Sequence, residues 1–347
     1  MIKIIDGKNQ IFVPSASNIK ITAEINAEYR LSFNVSKADA AWELLNKGRL
    51  LACENQLYRV YSTTEENAGL ITKSVDCVHV ITDATLTHLV KFPFLSMGYT
   101  YLEDISPHDL MVKAFNGTPF RVMDQGEADW ITTTTDFYPI NKTNPLEVVQ
   151  KLIEQLGEGE LLLSGYDIAL VRSLGRDTGL VFDMRTNLKS ISKQTDIDSV
   201  ITKLYGYGKD SLVTADGFVL SPNINDYDLP RESSMEFDWI TNQSRLEAAM
   251  NYMFSPDNPN RIDVPKVSYK ISFIDLTKAG FADYKIGLGD TIVLSDSVLG
   301  INESQHIKRM EYYPFSPENS SVDLGSPQRT LKDYIKKIAM GGSLNGI

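Results

Sequence analysis

Ser199-Val-Ile-Thr-Lys-Leu-Tyr-Gly-Tyr-Gly-Lys-Asp210 is the stretch from which the rest of this sequence is most readily read. Val200, Thr202 and Leu204 alternate with Ile201, Lys203 and Tyr205, the period-two pattern of a strand. Gly206 and Gly208 then interrupt the pattern. The strand is expected to end there, in a turn that needs a positive φ or a close backbone approach. A late echo, Tyr284-Lys-Ile-Gly-Leu-Gly-Asp-Thr-Ile-Val293, places Gly287, Gly289 and Asp290 in a tight turn that opens into a β-branched run. Neither turn carries a nucleophile, a metal cluster or a phosphate-binding pattern. Both read as strand punctuation, in a chain that is structural rather than catalytic.

Working outward, residues 1–95 read as β-rich with one helix. Ile19, Ile21 and Ala23 alternate with polar neighbours, and Tyr29, Leu31, Phe33 and Val35 share one face. A short helix is expected next, with Ser36 as N-cap, Trp42 and Leu45 inward and Gly48 as its stop. Strands at 56–62 and 70–81 follow, joined by a loop at Asn67-Ala-Gly69. Regular alternation lapses at Phe92-Pro-Phe-Leu-Ser-Met-Gly98, which sets a domain boundary. Residues 96–190 mix helix and strand. Ser106-Pro107 opens one helix, and Asn144-Pro145-Leu146-Glu147 opens the clearest one, with a reciprocal cap between Asn144 and Glu147 and a stop at Gly157. Strands are expected at 161–164, 168–173 and 180–184.

From 191 to 325 strands return. A hairpin is expected at Ser211–Leu220 about Ala215-Asp-Gly217, a polar loop over 226–234, and a helix over 241–254 capped by Thr241 with Leu246, Met250 and Met253 on one face. Val267, Tyr269, Ile271 and Phe273 mark the strongest strand, and 291–294 and 306–313 supply others. Residues 326–347 read as a helix capped by Ser326-Pro327, with Leu331, Ile335 and Ile338 inward, and a Gly-Ser tail. The fold class is α+β, β-rich.

Composition bounds the function. The chain has 347 residues, 42% hydrophobic and 23% charged, as in soluble multidomain proteins. No apolar run approaches the length of a membrane span, and the N-terminus lacks the basic-then-apolar pattern of a secretion signal. The net charge of −11 opposes tight binding of nucleic acid. The two cysteines, Cys53 and Cys77, form no CxxC unit. No cofactor motif is present.

Three chemistries can be weighed on residues. A cysteine peptidase needs Cys53 or Cys77 beside His79, His88, His108 or His306, and Cys77 with His79 is the one local pairing. Cys77 lies in a core-like strand, so a structural thiol is expected. A zinc site would need more than the His79–Asp83 spacing, since no HExxH or HxH unit completes it. Two carboxylates suffice for glycoside hydrolysis, but the acidic residues sit mostly in turns and on polar faces. Tyr205, Tyr207, Tyr312 and Tyr313 read as sheet packing before a sugar or partner surface. No catalytic, metal or cofactor residue is assigned. The structural turn signature is Gly206, Gly208, Gly287, Gly289, Asp290 and Gly325.

In order and spacing, ITAEINAEYRLSF, VITKLYGYGKD, YKIGLGDTIVL, HIKRMEYYP and SVDLG resemble the N-terminal module of phage tail-associated proteins, also called prophage endopeptidase tail or minor tail proteins. The resemblance runs from about residue 10 to 335. It implies a baseplate-hub-like part with two β-barrel-like tube or hub domains, at 1–95 and 191–325, the second with a helical insert near 235–262. Residues 96–190 would be a peripheral insert domain. It further implies a homotrimer at the virion tail tip. Its partners would be distal-tail, tail-tube and receptor-binding or adsorption proteins. DNA would pass without specific binding, and no membrane insertion is involved. Longer family members carry a cell-wall hydrolase after this module, and that part is expected to be missing here. The alternatives are a tail-associated cell-wall hydrolase and a carbohydrate-binding adsorption protein.

Overall fold

The computed structural model describes residues 1–27, 29–86, 90, 102–124, 135–137, 143–156, 158–237, 240–258, 261–274 and 285–325. The boundary expected at 92–98, the stop at Gly157 and the helix expected after Ser326 lie outside them. In chain order the elements begin with β1 (Lys3–Asp6), β2 (Asn9–Phe12), β3 (Ser17–Glu24), β4 (Tyr29–Ser36), β5 (Leu50–Cys53), β6 (Gln56–Asn67) and β7 (Ile71–His79). Next come α1 (Ile81–Leu86), β8 (Leu102–Ile105), α2 (Pro107–Phe115), β9 (Arg121–Val122), β10 (Thr135–Phe137), α3 (Pro145–Leu156), β11 (Glu160–Ser164) and β12 (Asp167–Val171). The remainder is β13 (Asp177–Asp183), β14 (Leu188–Asp196), β15 (Lys203–Gly208), β16 (Val219–Leu220), β17 (Glu232–Phe237), α4 (Gln243–Tyr252), β18 (Lys266–Phe273), β19 (Thr291–Asp296), β20 (Ile301–Tyr312) and β21 (Ser321–Gly325).

Contacts divide the chain into two units, Met1–Ile191 with Lys270–Ile347, and Ser192–Tyr269.

The first unit holds most of a 13-stranded sheet ordered β14-β18-β21-β20-β3-β4-β7-β6-β5-β1-β2, with β19 joined to β20 and β13 to β19; β14 and β18 run on into residues of the second unit. Among the described residues no closed barrel is seen in it, and its end strands β14 and β2 are not paired with each other. Period-two alternation decides its faces. Leu31, Phe33 and Val35 of β4 are buried with Val75 and Cys77 of β7 and Tyr58 and Val60 of β6. Full burial of each large apolar side chain contributes about 1.5–3 kcal/mol. A second core gathers Leu110, Met111 and Phe115 of α2, Leu146, Val149 and Leu152 of α3, and Leu161 and Ile168 of the β11–β12 hairpin. Both helices start as their sequences dictate. Ser106 Oγ accepts from Asp109 N at 3.0 Å. Asn144 N donates to Glu147 Oε2 at 3.2 Å, while Glu147 N donates to Asn144 Oδ1 at 3.1 Å.

The helix expected after Ser36 is only a 3-10 turn, Trp42–Leu44, and Ser36 ends β4 instead. Asp39 explains this: its carboxylate accepts from Ser15 N and Ala41 N, both at 2.8 Å, and holds a turn in place of a first helical turn. Trp42 and Leu45 are buried as expected.

The second unit packs a three-stranded sheet, ordered β16-β15-β17, on α4. Its core is Leu204, Phe237, Ile240, Leu246, Met250 and Phe254. Three expectations fail here. Ser211–Thr214 is not a strand: Lys209–Ser211 forms a 3-10 turn with Asp210 and Ser211 at positive φ, and β15 pairs with β16 directly. The end of the expected polar loop, from Glu232, is already β17, which pairs in parallel with the whole of β15. Its ESSMEF sequence is too polar to look like a strand, because one face and one edge of it are open. The cap of α4 is Asn242, not Thr241, with Asn242 Oδ1 accepting from Arg245 N at 3.2 Å.

Candidate functional site

In the first unit the late glycine turn sits where β20 changes partners. The first half of β20 pairs with β19, from Ile301 opposite Asp296 to His306 opposite Thr291. The second half pairs with β21 from Ile307 and with β3 from Arg309. Gly289 N donates to Ile307 O and Ile307 N to Asp290 O, both at 2.9 Å, so the turn brackets the strand at its change of sheet. Asp290 is buried and works as a double cap. Its Oδ2 accepts from Gly287 N at 2.7 Å and its Oδ1 from Arg176 N at 2.9 Å.

A second turn, Leu174-Gly175-Arg176, lies against the first. Gly175 has φ +70° and Gly289 φ +85°, conformations that favour glycine. A Cβ on Gly175 would stand 2.2 Å from Gly289 C, and one on Gly289 would stand 2.3 Å from Leu174 Cβ. The two turns therefore interlock backbone to backbone. Between the strands expected at 168–173 and 180–184, Gly175 reads only as a connecting turn. Its mate Gly289 lies far along the chain, and no local pattern links them.

Glu160, which sequence reading did not single out, ties β11 to this corner. Its carboxylate accepts from Leu174 N at 2.7 Å, from Lys308 Nζ at 2.8 Å and faces His306 Nε2 at 3.2 Å. Burial alone would push its carboxyl up, but the hydrogen bonds from His306, Leu174 N and Lys308 outweigh burial and hold it at about 2. Asn26 adds a further tie, accepting from Leu161 N and donating to Gly159 O, each at 2.8 Å. These hydrogen bonds make the corner a structural knot that ties β11, β20 and the two glycine turns together. Gly325, the last signature residue, ends β21 at φ +93°.

Gly206 and Gly208 belong to the second unit and act differently. Gly206 lies inside β15 and Gly208 ends it, just before the Lys209–Ser211 turn, and neither has a positive φ. A Cβ on Gly206 would stand 2.3 Å from Met250 Sδ, and one on Gly208 would stand 2.7 Å from Ile240 O. Close approach is what these glycines serve. On the opposite face, Lys203 Nζ sits 4.6 Å from the Phe218 ring centre, Tyr205 packs edge-on to Phe218, and Tyr205 Oη donates to Glu232. Tyr312 packs against the first-unit core, so the four tyrosines do not belong to one cluster within either unit.

The weighed chemistries meet specific obstacles. Cys77 is 1% exposed and burial pushes its thiol far up, while burial raises Cys53 to about 11. His79 is fully buried, and burial lowers it to about 3. Its Nδ1 accepts from Ile81 N at 3.1 Å, which leaves the proton on Nε2, 3.1 Å from Gln56 Oε1. Both nitrogens are thus occupied and neither serves Cys77. Asp83, the supposed metal partner of His79, binds Arg59 Nε at 2.6 and 2.8 Å. Among the described residues no group of three His, Cys, Asp or Glu could hold a metal, and no helix is long and apolar enough to cross a membrane. His88 lies outside the described residues.

Two family models match this sequence. Residues 1–79 match the prophage endopeptidase tail N-terminal domain, and residues 176–335 match the prophage endopeptidase tail. The chain belongs to the prophage endopeptidase tail family. A sequence comparison with curated proteins finds no match. Among solved structures, this tail-family chain resembles a prophage tail protein from Listeria monocytogenes EGD-e, at 13% identity and TM-score 0.64, with 98% of each chain covered. It also resembles a 43 kDa tail protein of prophage MuSo2 from Shewanella oneidensis, at 12% identity and TM-score 0.65, over 94% of this chain and 97% of that one. A tail protein from Neisseria meningitidis MC58 is similar at 10% identity and TM-score 0.64, over 96% and 98%. At these identities the likeness is one of fold.

Proposed function

We propose that this chain is a structural hub of a tail tip or baseplate, assembling as a homotrimeric ring under the tail tube and linking it to the adsorption apparatus. The observation that carries the reading is the two-way coverage: 98% of this chain and 98% of the Listeria prophage tail protein superpose as one fold. The family matches leave residues 80–175 between them, which supports a peripheral insert between two hub segments. A weaker likeness to a Francisella PdpA–VgrG complex, TM-score 0.50 over 93% of this chain and 56% of that one, points the same way.

In this role the glycine signature holds corners and close packings, and no residue performs chemistry. The net charge of −11 per copy suits a part through which DNA passes without sticking. Distal-tail, tail-tube and adsorption proteins are its partners. Immunogold labelling of tails from an induced prophage tests the reading. Label confined to the tip opposite the head supports it, and label absent from intact tails overturns it. Release of soluble peptide or glycan from purified cell walls by the chain alone would replace it with a hydrolase.

A further inference from the structure

We propose that the open face of the second unit's sheet is a binding site for a neutral saccharide. One face of that sheet packs on α4 through Leu204, with Val219 and Met235 beside it. Strand alternation puts Lys203, Tyr205 and Tyr207 of β15 on the other face. Register sets Leu220 of β16 beside Lys203, and sets Glu232, Ser234 and Glu236 of β17 beside Lys203, Tyr205 and Tyr207 in turn. Phe218, just before β16, meets Tyr205 edge-on with ring centres 5.9 Å apart. Tyr207 is 43% exposed and Leu220 48%. Leu220, Phe218, Tyr205 and Tyr207 thus share one face and are rimmed by polar groups, the pattern of a binding surface.

Size and chemistry choose the occupant. The three strands span about 10 Å, and Lys203 to Tyr207 runs about 13 Å. The face is therefore on the order of 130 Å², far below the roughly 800 Å² per partner of a stable protein interface. A short run of sugar rings fits it. The polar corner is already set: Lys203 Nζ stands 3.0 Å from Glu232, and Tyr205 Oη donates to Glu232 at 3.2 Å. Lys203 Nζ also lies 5.0 Å from the Tyr205 ring centre and 4.6 Å from that of Phe218. Such a corner loses little freedom when a ligand arrives. Its lysine and glutamate cancel, so it offers fixed donors and acceptors without net charge, which suits hydroxyls better than an ion. Glu236, exposed beside Tyr207, repels phosphate and acidic sugars. A pyranose carries C–H bonds on its faces and hydroxyls around its rim. It can lie on the negative face of a tyrosine ring while its hydroxyls reach Lys203 and Glu232. The surface is open where most small-molecule sites are concave, so binding is weak, about millimolar. The site stands or falls separately from the hub reading.

Saturation-transfer NMR of the whole chain with cellotriose and with chitotriose tests the site. Both sugars should take up saturation, with dissociation constants on the order of millimolar. Tyr207→Ala should weaken binding about 2- to 10-fold through the lost ring. Lys203→Met should weaken it as well, since it keeps an apolar stem by Phe218 and removes the charged donor. Phe12→Ala, which removes a side chain 49% exposed in the first unit, should leave binding unchanged. Unchanged amide exchange in β15 and β17 checks that the variants fold. No transfer to either sugar at about 20 mM overturns the site, as does equal transfer in Tyr207→Ala and wild type. Trilysine bound at Tyr207 where both sugars fail would replace it with a site for a cationic peptide. Under any of these results tip labelling still decides the tail role.

Discussion

Gly206 and Gly208 in the small unit and Gly287 and Gly289 in the large one present nearly the same sequence, a glycine pair spaced by one residue. Their physical demands differ. The first pair keeps ordinary strand geometry and yields room, to Met250 of α4 and to the Ile240 carbonyl. In the second pair Gly289 yields conformation as well as room, because at φ +85° it also meets Leu174 across the interlocked turns. Glycine in the first case is a packing residue. In the second it is a backbone residue whose loss no side-chain adjustment can mend.

Substitutions can break this distinction. Gly289→Ala combines a left-handed alanine with a backbone clash and should cost about 4 kcal/mol in urea unfolding. Removing the Leu174 side chain should not rescue it, since Leu174 C would still lie 2.7 Å from the new Cβ. Adding Gly175→Ala to it should cost little more, because both changes spoil one contact.

Acid should act next, and on the large unit. His79 is neutral and buried with its value lowered to about 3, against an ordinary 6.5. The unfolded chain takes up a proton between those values and the folded one does not. Stability is therefore full above pH 6.5 and falls by about 1.4 kcal/mol per unit as the pH drops toward 3. Going from pH 6.5 to 4.5 should cost about 2 kcal/mol, read as faster amide exchange in β6 and β7 than in β15 and β17. In His79→Gln that slope should flatten. Equal acid sensitivity of both sets of strands would count against this assignment.

Gly206→Ala should cost about 2 kcal/mol by overpacking, and the cost should vanish when measured in a Met250→Ala background. Persistence there would mean that conformation, not room, is its constraint. Asp290→Ala removes acceptors for Gly287 N and Arg176 N and should cost about 1–2 kcal/mol, the range of a lost cap.

Much of the fold was legible where one side of an element is buried. Tyr29–Val35 and Val267–Phe273 show clean alternation, and Asn144 with Glu147 spells a cap that forms as read. β14 and β17 were not legible, because open edges and faces remove the apolar half of the pattern. The turn at Asp39 mimicked a helix start, since the same short carboxylate can cap either. The knot was hidden for a different reason. Glu160, Gly175, Gly289 and Lys308 meet only through tertiary pairing, and nothing in their immediate neighbourhoods announces it. The glycines themselves were visible as turns, while their division into room and conformation needed coordinates.

β20 also sets a timetable. Glu24, in the third strand, has Arg309 as its partner, and β3 gains its second neighbour only when β20 arrives. At ribosomal speeds the wait is roughly 15–60 s, during which one edge of β3 lies uncovered. A nascent chain stalled before Ile301 would carry that edge exposed, a template for the wrong strand. Holding it soluble until the last strands emerge is a burden this topology passes to the cell's chaperones.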